Sequence, residues 1–175
     1  MGMFRLMLLR HAKATPFGPT GDHERSLTDR GRGDARRLGE YLAAEGMAPD
    51  FAAISDARRT RETWDIVSDG WKNVPVRLEP RIYEAPLSAL WTLLRQSPDE
   101  KRVMICVGHN PGFADLAAEL IGYGDRYAQA RMRHHFPTCG LAVLDLNLDS
   151  WSQAEPGVAR LDRFVTPKTL GGIDD

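Results

Sequence analysis

Apolar positions along this chain fall into short runs that alternate with helically spaced stripes. Residues 3–9, MFRLMLL, form a bounded run whose one polar member, Arg5, predicts a strand near the edge of the core or a side chain turned outward. Residues 51–55, FAAIS, and 76–80, VRLEP, read as a second and a third strand. Residues 103–108, VMICVG, are continuously apolar, as expected of a central parallel strand covered on both faces. Between these runs the period lengthens. Ala35, Leu38 and Leu42 make one stripe of a helix that Thr28 caps and that runs to about Glu45, with Gly46 as its stop. Further helices are predicted from about Asp56 to Ser68, burying Trp64 and Val67, over 87–96 through Leu87, Leu90, Trp91 and Leu94, and over 112–121.

The remaining stretches are irregular or terminal. Pro16, Gly18, Pro19 and Gly21 make 12–27 a loop, and 122–137 shows no clear pattern. Residues 141–148, LAVLDLNL, and 158–165, VARLDRFV, read as two closing strands, and 171–175, GGIDD, as a flexible tail. Strand and helix alternate through residue 121, which predicts an α/β fold: a three-layer sandwich with a mostly parallel central sheet flanked by helices. No repeat or low-complexity linker interrupts the 175 residues, so a single domain is expected.

Composition narrows the function classes. A formal net charge of -1 gives no general attraction to nucleic acid or to an anionic membrane, so any anion binding is local. No run is long enough to span a bilayer and the opening one is too short for a signal peptide, so the expected compartment is the cytoplasm. Cys106 and Cys139 make no disulfide framework and read as reduced, buried thiols. His134, His135 and Cys139 lack the spacing of a zinc site, because adjacent histidines point apart; no metal or cofactor is expected. Arg131, Arg133 and the two histidines are instead candidates for a pocket border.

In an open α/β sheet, ligands bind beyond the carboxyl ends of the strands. Arg10 and His11 follow the first predicted strand, Ser55 and Arg59 the second, Glu84 the third, and Gly108, His109, Asn110 and Pro111 the central one. Two guanidiniums suit a phosphoryl group, since each donates in parallel to two of its oxygens. Neutral imidazole is a competent nucleophile toward phosphorus, a second histidine can donate to an equatorial oxygen, and a carboxyl can protonate the leaving atom. Lys13 and Ser55 read as neighbours of the reacting groups, and His23 as a loop residue near them.

These residues also carry a resemblance. Leu9-Arg10-His11-Ala12, the pattern Ser55, Arg59, Thr63, and Val107-Gly108-His109-Asn110-Pro111 resemble the histidine phosphatase superfamily, related to phosphoglycerate mutases. RHAKA, the run Asp22, Arg25, Leu27, Thr28, Gly31, RIYEA, GHNP and FVTPKTL resemble its short SixA-type phosphohistidine phosphatase branch, from Leu6 to about Leu170. The resemblance implies a phosphoglycerate mutase-like sandwich and a phosphorylated nucleophile at His11. Arg10, Arg59 and His109 would complete the phosphate pocket, and Glu84 stands where mutase-like relatives carry a general acid; Asn110, Lys13 and Ser55 are further candidates for binding the phosphate or substrate on their place beside these residues. The implied substrate is a phosphorylated protein bearing phosphohistidine. Two alternatives stay open: a small-molecule phosphate ester phosphatase or mutase, and a non-catalytic phosphate- or partner-binding module.

Overall fold

In a computed structural model, which describes residues 2–175, the alternating pattern becomes twelve main elements. In chain order they are β1 (Gly2–Arg10), α1 (Asp29–Ala44), β2 (Phe51–Ile54), α2 (Arg58–Val67), β3 (Val76–Leu78), α3 (Leu87–Arg95), β4 (Val103–Gly108), α4 (Gly112–Leu120), β5 (Ile121–Gly124), α5 (Arg126–His134), β6 (Leu141–Leu148) and β7 (Ala159–Val165). One seven-stranded sheet results, in the order β3-β2-β4-β1-β6-β7-β5. Only β6 runs against its neighbours.

Successive residues of a strand face opposite sides, and β1 shows what that achieves. Met7 and Leu9 join Ile105 and Val107 beneath Leu38 and Leu42 of α1 and Trp64 of α2. Phe4, Leu6 and Leu8 join Met104 and Cys106 beneath Leu90 and Trp91 of α3, Phe113 and Leu116 of α4 and Met132 of α5. Each fully buried side chain of this size contributes roughly 1.5–3 kcal/mol of transfer free energy, so both faces resist opening. Arg5 is half-buried and turns sideways, its guanidinium donating to Asp145 of β6 at 2.7 and 3.1 Å.

Several elements depart from their predicted extent. α2 begins at Arg58 rather than Asp56, because Asp56 and Ala57 make the bend out of β2. The stretch 122–137 contains the edge strand β5 and the helix α5, which buries only Ala128 and Met132. That is too few apolar residues for a stripe to register in the sequence. Residues 171–175, expected as a loose tail, lie against the body: Asp174 accepts from the Thr166 hydroxyl and the Lys168 amide, at 3.0 and 2.9 Å. Among the described residues no helix is long and apolar enough to cross a membrane.

Candidate active site

The carboxyl ends of β1, β2 and β4 meet in register. Arg10 stands opposite Gly108, the His11 amide donates to the Gly108 carbonyl at 3.0 Å, and the Ser55 amide to the Val107 carbonyl at 3.0 Å. A Cβ on Gly108 would lie 2.5 Å from the Phe113 ring and 2.7 Å from Ile82, so glycine lets α4 and the turn at Ile82 close on the end of β4. Cys139 holds the other side of the β1 end. Its φ of 58° turns one amide toward both the Arg10 and the His11 carbonyls, at 3.1 and 2.9 Å. The backbone presenting His11 is thus gripped on both sides, which is what a nucleophile positioned in line with phosphorus requires.

The four-residue spacing of Ser55, Arg59 and Thr63 then places three different contacts on one side of the β2–α2 segment. Thr63 accepts from the Ala12 amide at 3.0 Å and donates to the Arg59 carbonyl at 2.7 Å, tying α2 to the β1 end. Ser55 lies behind His109, its hydroxyl 2.8 Å from Nε2. Between them, buried Arg59 reaches toward the loop, donating to the Asp22 carbonyl at 2.9 Å and its carboxylate at 3.2 Å. The loop itself is clamped by Gly31, where a Cβ would come within 2.1 Å of the Lys13 carbonyl, and by Thr28, which caps α1 from the same turn.

Arg10, His11, Lys13, Arg59, His109 and Asn110 line one cavity of about 250 Å³, together with Ala14, Arg25, Thr138 and Asp175. The two imidazoles lie with ring centroids 5.4 Å apart. Burial, then the closeness of His109 and of the Arg59 and Arg10 guanidiniums, pushes His11 down to about 3, against its bond to the Ala12 carbonyl. Burial and Arg59 likewise hold His109 down, to about 4. Both rings are therefore neutral near neutral pH. His11 Nδ1 faces the Ala12 carbonyl at 2.7 Å, an oxygen that only accepts, so the ring proton sits on Nδ1 and Nε2 keeps its lone pair. Ser55 Oγ, which also accepts from the Ala57 amide at 3.4 Å, can give its own proton to His109 Nε2, and in that tautomer the His109 proton sits on Nδ1.

That Nδ1 has no protein partner, and it is not alone. Among the described residues six buried side-chain polar atoms lack a hydrogen-bond partner, and four belong to residues of this cavity: Arg10 Nε, Arg59 Nε, His109 Nδ1 and Asn110 Oδ1. An unmet buried polar group costs roughly 1–3 kcal/mol. Three of the four are donors, a set that oxygens of an anion would satisfy.

Not every expected residue joins them. Glu84 stands outside the cavity lining, exposed at the turn into α3, where its backbone takes a left-handed φ of 54°. Ser55 supports His109 rather than facing the cavity, whereas Asn110 does line it while donating to the Phe136 carbonyl at 2.9 Å. His134 and His135 are exposed and do not line the cavity; His135 Nε2 lies 2.7 Å from the Asp175 carbonyl. Among the described residues no three His, Cys, Asp or Glu side chains group as metal ligands. Sequence reasoning passed over Asp22 as a site residue, although its motif run pointed there. Its carboxylate accepts from the Tyr83 hydroxyl, Arg25 and Arg59, which together keep it well below the usual carboxylate range. Thr138 and Asp175 carry no sequence signal at all.

Residues 6–102 match the model of the histidine phosphatase superfamily (branch 1), a span that holds Arg10, His11, Ser55 and Arg59. The chain belongs to the histidine phosphatase superfamily. An uncharacterized protein of Mycobacterium tuberculosis is 32% identical over 162 residues, covering 91% of this chain and all of the relative. Among solved structures, the chain is similar to a protein of Nakamurella multipartitia named for the phosphohistidine phosphatase SixA, with a TM-score of 0.84, 26% identity and coverage of 95% of this chain and 98% of the other. A second protein so named, from Agrobacterium tumefaciens, matches with a TM-score of 0.79 and 28% identity over 94% and 98% of the two chains. The phosphoglycerate mutase-like sandwich and the SixA-type resemblance thus hold across nearly the whole histidine phosphatase fold.

Proposed function

We propose that this histidine phosphatase hydrolyses phosphoryl groups through a covalent phosphohistidine on His11, and that its substrate is phosphohistidine on another protein. The observation that carries the reading is the cluster of unmet donors on Arg10, Arg59 and His109 around a neutral His11 whose Nε2 lone pair is free. In the first step, Nε2 attacks phosphorus in line, the new N–P bond forms as the bond to the leaving group breaks, and the guanidiniums neutralise the equatorial oxygens. In the second step, water attacks the phosphorus of phospho-His11. The N–P bond breaks, its electron pair returns to Nε2, and the phosphate leaves carrying the protons of the water.

The choice of leaving group rests on the acids at hand. Asp22 and Asp175 border or line the cavity, and both are held ionised below the usual carboxylate range, while Glu84 lies outside its lining. A site without a protonated carboxyl suits an imidazole leaving group, which departs far more readily than an alkoxide. No cofactor or metal enters this scheme. The deciding experiment is a substrate panel with EDTA present: a phosphohistidine-bearing phosphotransfer domain against sugar and glycerate phosphates. Faster turnover of phosphohistidine, through an acid-labile phosphoenzyme absent in His11→Ala, is expected. Preference for the esters would replace the substrate class, and turnover by His11→Ala would remove the mechanism.

A further inference from the structure

The tail seats a carboxylate in the catalytic cavity. Arg30 donates to the Ile173 carbonyl at 2.7 Å and the Gly172 amide to the Pro167 carbonyl at 2.8 Å, which carries the last residues across the rim. Asp175 then accepts from the Thr138 amide at 3.1 Å, from the Thr138 hydroxyl at 2.9 Å and from Lys13 Nζ at 3.4 Å. Its side chain is mostly buried, at 17% exposure, and it is the one acidic residue in the lining of a cavity that also presents Arg10, Lys13, Arg25 and Arg59.

The consequence for a substrate follows from which cations are left. Arg10 and Arg59 are the groups nearest the role of phosphoryl clamp. Lys13 pairs with Asp175, and Arg25 is engaged by the Asp22 carboxylate at 2.9 Å and the Thr15 carbonyl at 2.7 Å. A phosphorylated compound with a second anionic group finds no unpaired cation for it among the described residues of this cavity, and meets a fixed carboxylate instead. Like charges a few ångströms apart in a partly desolvated cleft repel strongly enough to change binding by about tenfold.

We infer that Asp175 is a specificity-determining residue, a charge filter that disfavours phosphorylated compounds carrying a further carboxylate or phosphate and leaves a phosphoryl group on a neutral or cationic carrier as the accepted class. This rests on, and narrows, the phosphatase reading above. Thr138 holds the filter in place and, with Arg10 and Lys13, keeps it ionised.

The test compares wild type with Asp175→Asn, which keeps a Thr138 acceptor, on phosphoimidazole and on 3-phosphoglycerate. The expected result is a roughly tenfold rise in the ratio of kcat/KM for 3-phosphoglycerate over phosphoimidazole, shrinking at high salt as an electrostatic effect must. An unchanged ratio, including a uniform gain on both compounds, overturns the filter, because a tail that merely blocks the cavity would slow both alike. Calorimetric Kd values for inorganic phosphate and 3-phosphoglycerate on the same two proteins give the answer without turnover. If wild type hydrolyses neither compound, the phosphatase reading fails, and the shift in the ratio of Kd values still decides the role of Asp175.

Discussion

Two hollows in this molecule look alike by composition and differ in how their cations are paired. The larger, about 800 Å³, lies between α5, β7 and the tail and includes Arg131, His134, His135, Arg163 and Lys168. There Arg163 is held by Asp162, Tyr41 and Glu45 at 2.7, 2.9 and 3.0 Å, and Arg131 lies over the Tyr127 and Phe164 rings while donating to the Phe164 carbonyl at 2.7 Å. Among the described residues of this hollow, Arg131 Nε is the one buried side-chain polar atom without a partner. The smaller hollow, about 250 Å³, concentrates four unmet polar atoms around two neutral histidines. Size marks a surface irregularity here, whereas unmet donors mark the place where an anion would complete the structure.

The sharpest way to break this contrast is to remove one residue from each hollow. His11→Ala is expected to lower kcat by at least about 10⁴-fold and to abolish the acid-labile phosphoenzyme, while Arg131→Ala changes kcat/KM by less than about twofold. Comparable losses from the two variants would end the distinction. Arg59→Ala comes next, with kcat falling about 10²–10³-fold in steady-state assays, the scale of one lost charge-stabilising donor.

Acid should act on the same hollow. Because His11 and His109 are pushed down to about 3 and about 4 in the fold, while the ordinary value is 6.5, the unfolded chain binds more protons over that window. Their contribution to stability is therefore present above pH 6.5 and is lost as pH falls through it toward 4 and below. For each histidine the loss approaches about 1.4 kcal/mol for every pH unit crossed inside the window. Denaturant unfolding from pH 7 to pH 4 measures it, and His11→Asn should flatten the slope; an unchanged slope would contradict buried neutral imidazoles.

Ser55→Ala should cost roughly tenfold in kcat with KM nearly constant, since it frees His109 without touching the phosphoryl group, and Ser55→Thr should restore most of it. The smallest effect is expected at Glu84→Gln, within about twofold on phosphoimidazole and on esters alike. A large loss confined to esters would bring Glu84 back as an acid that swings into the cleft.

Most of the fold was legible because its signals are local. Thr28 caps α1 as its sequence context implies, and the apolar run 103–108 is β4, flanked by β2 and β1. Arg10, His11, Arg59 and His109 could be collected in advance because each follows a strand end, and parallel strands bring those ends to one edge. The elements that escaped, β5 and α5, have few buried residues, and their placement depends on β7, which lies well over thirty positions beyond β5 in the chain. Glu84 follows the third strand as the sequence indicates, at a turn with left-handed φ, and does not line the cavity.

By itself, the order of residues determined the sandwich, the strand-end placement of Arg10, His11, Arg59 and His109 and the family, since periodicity and motif spacing are properties of neighbouring positions. Tertiary structure decided what each polar group does. Which nitrogen of His11 is free depends on the Ala12 carbonyl, how His109 is held depends on Ser55, and the charge at the cavity rim depends on Asp175 reaching Thr138 and Lys13 from the far end of the chain. Protonation and pairing are set by what lies within a few ångströms in space, and for this site most of those neighbours are distant in sequence.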